Sequence, residues 1–292
     1  MTDLLDRTSV VIATRDRRDT LLRTLGRLAA LRKRPPVIVV DNGSTDGTPE
    51  AVLQAHPDMR LIELDENWGA AARNSGVIAA TTPYVAFNDD DSWWAPGSLD
   101  LAERVLDADP TLALLAASVL VGPENRLDPT CRKMAESPLV PPPGLPGPSV
   151  LGFVACGAVV RRSAFLEVGG FEERMGIGGE EELLSVELAA AGYRLAYVDD
   201  LIAHHHPEAP REKGRTRSVV RNQLLVAWLK RPLSSALRKT GRLLFNHRRD
   251  REAALGAVDA LRATPWIARE RRPVEPWLER ALRILDRDRR GR

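Results

Sequence analysis

Three adjacent carboxylates, Asp89, Asp90 and Asp91, follow an apolar run at residues 84–87 and precede Trp93 and Trp94. Neighbouring carboxylates repel one another unless a cation or solvent relieves them. In extended backbone alternate side chains share a side, so Asp89 and Asp91 point the same way. Two oxygen ligands on one side suit Mg²⁺ or Mn²⁺, ions that also hold phosphate oxygens. A solvated acidic turn capping the next helix would use the same residue types. A second polar run, Asp41-Asn42-Gly43-Ser44-Thr45-Asp46, has the small, turn-forming residues that allow close backbone approach to a ligand. Asp41 there can accept hydrogen bonds from a base or ribose; a generic strand-to-helix loop looks similar. Glu180-Glu181-Glu182 opens a periodic run and would complement a helix dipole. His204-His205-His206 closes the list of groups able to ligate or move protons, with a surface turn as the plainer reading.

These groups need elements to position them. Residues 9–13, 37–40, 61–64 and 84–87 read as short buried strands. Between them, residues 20–31 place Leu21, Leu25, Leu28 and Leu31 at helical spacing, Pro49 opens a helix, and residues 69–80 form an alanine-rich helix. Alternation of this kind predicts an α/β fold: a mainly parallel sheet with helices on both faces. Ligands in such sheets sit beyond the carboxyl ends of the strands, where both polar runs lie. Further strands are expected at 112–121, 157–160 and 195–198, and helices at 163–168 and at 180–191, the latter closed by Gly192. Six prolines and two glycines between 138 and 148 exclude regular structure there, leaving a linker or a mobile acceptor loop across about 122–150. Beyond residue 212 the character changes to helices at 217–231, 233–247, 250–263 and 274–286. Two parts are expected, 1–212 carrying the chemistry and 213–292 a basic helical extension.

The net charge of +2 conceals a split. Residues 211–251 hold thirteen Lys or Arg against two acids, +11, while the remaining 29 basic residues face 38 acidic ones, −9. Val220, Leu224 and Trp228, with Leu225 and Leu229 beside them, form an apolar stripe flanked by Arg217, Arg221, Lys230 and Arg231. Such a stripe suits either packing on the first part or peripheral contact with an anionic membrane surface. Two cysteines, Cys131 and Cys156, fit a reducing cytoplasm. Asp3 and Asp6 stand where a secretory leader needs bases, and no apolar stretch reaches the ~18–20 residues of a membrane span. A cytoplasmic protein, meeting a membrane only at its inner surface, is expected. The −9 of the larger part and the lack of a recognised motif argue against nucleic acid.

Taken together, these motifs resemble family-2 glycosyltransferases of the GT-A fold. Residues 9–17 (SVVIATRDR) look like that family's first strand and turn; residues 39–48 (VVDNGSTDGT) look like its uracil-contacting loop, with Asp41 in the acidic position. Residues 67–76 (NWGAAARNSG) are similar to its donor-side segment, and 87–99 (FNDDDSWWAPGSL) to its metal-binding Asp-x-Asp, read as Asp89 and Asp91. Residues 169–172 (GGFE) followed by 179–183 (GEEEL) resemble its Gly-Gly-Phe-Asp…Glu-Asp block. Five motifs in order cover about residues 8–207. The resemblance implies an inverting transfer from a nucleotide-sugar donor, UDP favoured, to an acceptor hydroxyl. It implies a Mn²⁺ or Mg²⁺ cofactor held by Asp89, Asp91 and, through a His-His-Pro pattern, His205. Donor contacts would come from Thr14, Arg15, Asp41, Ser44, Asn67, Gly69, Arg73, Asn74, Asp89 and Asp90. The base would be Glu181, with Glu180 next. Two departures stand out: Ala13 replaces a commoner proline, and the acidic pair is Glu180-Glu181. Residues 9–17 contain no glycine, against a nucleotidyltransferase, and no Gly-x-Gly-x-x-Gly or Lys-bearing phosphate loop occurs. A catalytically silent nucleotide-sugar binder or scaffold of the same fold is the alternative.

Overall fold

The computed structural model describes residues 3–4, 7–208 and 215–291. The short β-branched runs form strands β1 (Thr8–Thr14), β2 (Val37–Asp41), β3 (Arg60–Glu63), β4 (Tyr84–Asp89), β5 (Ser92–Trp94), β6 (Leu112–Val121), β7 (Arg126–Leu127), β8 (Ala158–Arg161) and β9 (Arg194–His205). They make one nine-stranded sheet in the order β3-β2-β1-β4-β8-β6-β9-β5, with β7 on β6. The pairs β3/β2, β2/β1, β1/β4 and β6/β9 are parallel and supply most of the ladder; β8 runs antiparallel to both neighbours. Strands β1, β2, β4 and β6 are buried along nearly their whole length, as happens when both faces of a sheet are covered.

The covering helices are α1 (Arg18–Ala29), α2 (Thr48–Ala55), α3 (Ala72–Ala79), α4 (Ser98–Ala108), α5 (Pro129–Ala135), α6 (Arg162–Glu167) and α7 (Glu180–Ala190). Pro49 sits in the first turn of α2, as expected, behind Gly47 at φ +81°. The alanine-rich segment divides into a 3₁₀ turn, Gly69–Ala71, and α3. Three strands of this sheet differ from the sequence reading. β5 and the two-residue β7 were not anticipated, and β9 extends seven residues past 198, through a register shift between Val198 and Ile202. His204 and His205 are therefore strand residues.

Residues 138–148 carry no helix or strand, as their prolines dictate. The segment is tied to the start of β9: Tyr197 N–H donates to Pro148 O (2.9 Å), Val150 N–H to Leu195 O (3.3 Å) and Arg194 Nη2 to Pro143 O (2.9 Å). At about 3.3 Å per residue this is roughly 25 Å along the strand from His205. The other end of the expected loop does reach that histidine, because Gly122 N–H donates to His205 O at 2.9 Å.

The C-terminal helices are α8 (Arg215–Lys230), α9 (Leu233–Asn246), α10 (Arg251–Arg262), α11 (Thr264–Glu270) and α12 (Pro276–Gly291). The boundary expected at 212/213, with Arg211 and Lys213, lies outside the described residues. Val220, Leu224, Leu225 and Leu229 are buried in a cluster that includes Met175 and Leu183 from around α7, so the stripe on α8 packs inside the molecule. Val274, Leu278 and Leu282 join the main core instead. No helix among the described residues is long and apolar enough to cross a membrane.

Helix α3 lies close on the sheet because Gly76 faces it. A Cβ there would stand 2.5 Å from Val11 Cγ1 and 3.1 Å from Val40 Cγ2. Gly76→Ala should therefore destabilise the fold by about 1–3 kcal/mol despite alanine's better helix propensity. A lower urea midpoint at unchanged slope is the expected result; a raised midpoint would show that α3 can move away.

Candidate active site

Three adjacent parallel strands end level with one another. Thr14 of β1 pairs in register with Asp41 of β2, and Ala13 with Asp89 of β4. The turn after β4 is held from beneath by Ser92, which is fully buried. Its hydroxyl accepts from Asp89 N–H (2.8 Å), and its carbonyl accepts from Asn88 Nδ2 (2.7 Å). Because β5 pairs antiparallel with the end of β9, Ser92 stands opposite His205. His206 N–H donates to Asp91 O (2.9 Å), locking the hairpin to that strand.

Every carboxylate of the turn meets a basic group, and Arg17 serves two of them. Arg73, buried on α3, donates to Asp89. Asp90 accepts from Thr14 Oγ1 (3.0 Å) and lies 2.9 Å from Arg17 Nε. Asp91 accepts from Arg17 Nη2 (2.9 Å) through one oxygen and meets His205 Nε2 (3.1 Å) with the other. Burial pushes Asp90 up to about 7 against the pull of Arg17. Burial lowers His205, but the hydrogen bond to Asp91 and its charge outweigh that and leave it raised. Asp89, Asp91 and His205 each offer one ligand atom, all within 4.8 Å of one another. Carboxylate oxygens with an imidazole nitrogen form a donor set suited to Mn²⁺.

Asp41 is 2% exposed. One of its oxygens accepts from Ser44 N–H (2.9 Å); the other, Oδ1, is buried without a hydrogen-bond partner. A buried acceptor left unpaired is costly, and a ligand N–H would satisfy it. Ser44 Oγ accepts from Asp16 N–H (2.9 Å), and Asp16 Oδ1 accepts from Thr45 N–H (2.7 Å), so the loops after β1 and β2 brace each other.

The other expected donor contacts separate into two groups. Gly69, at φ +59°, packs on Gly176: a Cβ would sit 3.0 Å from its backbone. Asn67 is exposed and caps that turn by accepting from Gly69 N–H (2.9 Å). Asn74 exchanges two hydrogen bonds with the Phe171 backbone (2.8 and 2.9 Å), so its amide positions the glycine turn ahead of α7. Arg15 is exposed and pairs only with Asp16 at 3.5 Å; Arg17, two residues on, is the one that enters the acidic cluster. Asn42 was also missed. It accepts from Trp68 N–H (2.8 Å) and donates to Gly69 O (3.1 Å), joining the two loops.

Glu180 and Glu181 open α7 behind Gly178 and Gly179, both at positive φ. Glu180 is buried and its carboxylate accepts from Gly178 N–H. Burial, then the neighbouring Glu180 charge, raises Glu181 to about 8. Arg73 feels both glutamates as well as Asp89, and their combined charge keeps its guanidinium pKa raised despite burial. The loop before α7 is fixed from the C-terminal side. Asn222 Nδ2 donates to Met175 O and Gly178 O (both 2.8 Å), and Arg221 Nη2 donates to Met175 O (2.9 Å). Trp93 carries Arg27 over its ring at 3.5 Å and stacks on His204.

Known proteins resemble this chain in sequence and fold. The family model for glycosyl transferase family 2 matches residues 9–169. A pre-mycofactocin glycosyltransferase of Mycobacterium tuberculosis is 37% identical over 216 residues, covering 68% of this chain but 42% of the relative, so the chain spans about two-fifths of that protein's length. An N-acetylglucosaminyl-diphospho-decaprenol L-rhamnosyltransferase of the same organism is 30% identical over 240 residues, covering 70% of this chain and 77% of its own. Among solved structures, the mannosyltransferase PcManGT of Pyrobaculum calidifontis, in complex with GDP-Man and Mn²⁺, superposes with a TM-score of 0.60 at 21% identity over 96% of this chain and 85% of its own, a likeness of GT-A fold. With a family match over more than half its residues and a relative at 30% identity covering most of both chains, this chain belongs to glycosyl transferase family 2.

Proposed function

We propose that the chain transfers a sugar from a nucleoside-diphosphate sugar, a UDP-sugar favoured, to an acceptor hydroxyl, inverting the anomeric centre in one displacement. The observation that carries this reading is the position of Arg73. It pairs with Asp89 in the acidic turn and lies in the field of Glu180 and Glu181, so motifs about ninety residues apart act on one guanidinium. Asp41 Oδ1 accepts an N–H of the base; a uracil fits this acceptor. Asp89, Asp91 and His205 would hold a divalent ion, Mn²⁺ or Mg²⁺, whose chemistry when bound would be to neutralise charge developing on the leaving diphosphate. Asp90, Thr14 and Arg17 brace these carboxylates. Glu181 takes the proton of the acceptor hydroxyl as it attacks. Arg73 holds Asp89 in place and sets its positive charge in the field of Glu180 and Glu181.

Relatives named for a decaprenol-linked or undecaprenol-linked substrate support a lipid-linked glycan as acceptor. On this reading the protein works from the cytoplasm at the inner membrane surface, with the C-terminal helices making peripheral contact.

A UDP-sugar hydrolysis assay with Mn²⁺ tests the reading, since such enzymes leak sugar to water and a silent binder does not. Asp91→Asn should lower the Mn²⁺-dependent rate by about 100-fold, the scale expected for losing one electrostatic contact to the transition state. Full activity in that variant, or in excess chelator, rejects the ion's role.

The base assignment carries its own pH dependence. A carboxyl raised to about 8 is protonated below that value and acts as a base only above it. Transfer should therefore climb as pH rises, from a rate about 100-fold below plateau at pH 6. Glu181→Gln should abolish transfer and leave the thermal shift induced by UDP and Mn²⁺ intact. An inactive Glu180→Gln beside an active Glu181→Gln would move the base by one residue.

A further inference from the structure

Residues of α9 and α12, with Arg231 ahead of α9, line a cavity of about 170 Å³, and six of its eight lining residues are Arg or Lys. Some of these charges are neutralised locally. Arg231 pairs with Glu279 (2.9 Å) and Asp286, Arg242 with Asp286 (3.0 Å), Arg283 with Glu279 (2.6 Å), and Lys239 with Glu182 (2.9 Å). Three carboxylates thus serve four of the six cations. Among the described residues, Arg238 and Arg287 have no carboxylate partner; Arg238 donates only to Ser235 Oγ (3.0 Å). At ~30 Å³ per water-sized group, the cavity admits a tetrahedral oxyanion with room for hydration.

Both rims of this basic trough are apolar and exposed. On α9 the next face round from Arg238 and Arg242 carries Leu233, Leu237, Leu244 and Phe245, the last 66% exposed. On α12 the face beyond Arg287 carries Ile284 and Trp277, the latter half exposed. Exposed apolar patches flanking an oxyanion pocket have a natural counterpart: the phosphate layer of a bilayer with acyl chains beneath it. We propose that the α9–α12 trough is a membrane-docking surface that takes the phosphate of an anionic phospholipid into its pocket and seats Leu237, Phe245 and Trp277 in the interface. The surface is not the α8 stripe, which is buried. This inference deepens the peripheral-contact reading above and rests on it.

The test is co-sedimentation of the full chain with phosphatidylcholine vesicles with and without phosphatidylglycerol, at low and physiological salt. Wild type should bind the anionic vesicles, and less so as salt rises. Arg238→Gln/Arg287→Gln should weaken partitioning by about 25-fold, from roughly fivefold per cation near the surface. Neither residue holds an ion pair, so melting temperature should be unchanged. Leu237→Ser/Phe245→Ser should lose binding comparably. Undiminished binding by both double variants overturns the surface assignment while leaving peripheral contact standing. No binding of wild type at low salt overturns both. Stabilisation by inorganic phosphate without vesicle binding also overturns the proposal, marking a pocket for a soluble oxyanion or for the acceptor's own diphosphate. UDP-sugar hydrolysis without vesicles reports separately on the catalytic reading.

Discussion

Three carboxylates in a row at the mouth of a buried sheet are the constraint around which this molecule is arranged. Left alone they repel, and burial makes the repulsion worse. Relief comes from three different elements: Arg17 ahead of α1, Arg73 on α3 and His205 at the end of β9. The acidic turn therefore acts as a fastener between parts of the chain more than a hundred residues apart. Its strength is uneven. Exposed ion pairs contribute about 0–1 kcal/mol, but a buried cation stripped of its partner costs about 3–5 kcal/mol. Arg73 is the buried partner, so the link between α3 and β4 is the costly one to break. Asp91 shows how the site remains open to further chemistry, since its two oxygens face different groups, a guanidinium and an imidazole.

The parallel half of the sheet was legible because its strands are buried on both faces and so read as unbroken apolar runs. The far half was not. In β9 the apolar pattern stops at Asp199 and Asp200, which are exposed where the register shifts, and resumes at the buried Leu201. A two-residue interruption of that kind looks like the end of a strand in sequence, yet it is a bulge that lets two acids face solvent while the ladder continues. The histidines consequently moved from a loop into the strand, and the third member of the Asp89–Asp91–His205 group became a register partner of Ser92.

Arg17 was hidden for a related reason. Residues 15–18 offer three arginines around one aspartate, and composition cannot say which turns inward. The choice is made by Asp16, at φ +50°, whose carboxylate accepts from the loop after β2. That reversal leaves Arg15 outside and swings Arg17 over the acidic turn. The apolar stripe on α8 posed the same kind of problem. A helix that packs on a neighbour and a helix that lies on a membrane use one pattern; what decides is whether a neighbour exists. Here Gly178 and Gly179 let α8 approach closely, with Val219 and Asn222 filling the space any Cβ would need.

The same sorting applies to charge. A segment of +11 suggests a broad basic surface, but half of its ten described cations are already committed to carboxylates. Arg217 meets Asp259, Lys230 meets Glu187, Lys239 meets Glu182, and Arg231 and Arg242 share Asp286. Several of these acids belong to α7 or α12, outside the basic segment, so the +11 and the −9 neutralise each other across helix contacts. Because Glu182 and Glu187 sit on the helix that opens with Glu180 and Glu181, the pairing also fixes that helix from its outer side. The basic segment thus acts first as scaffold for the acidic end of α7. The cations left over at the α9–α12 trough, Arg238 and Arg287, remain available to act on something beyond the protein.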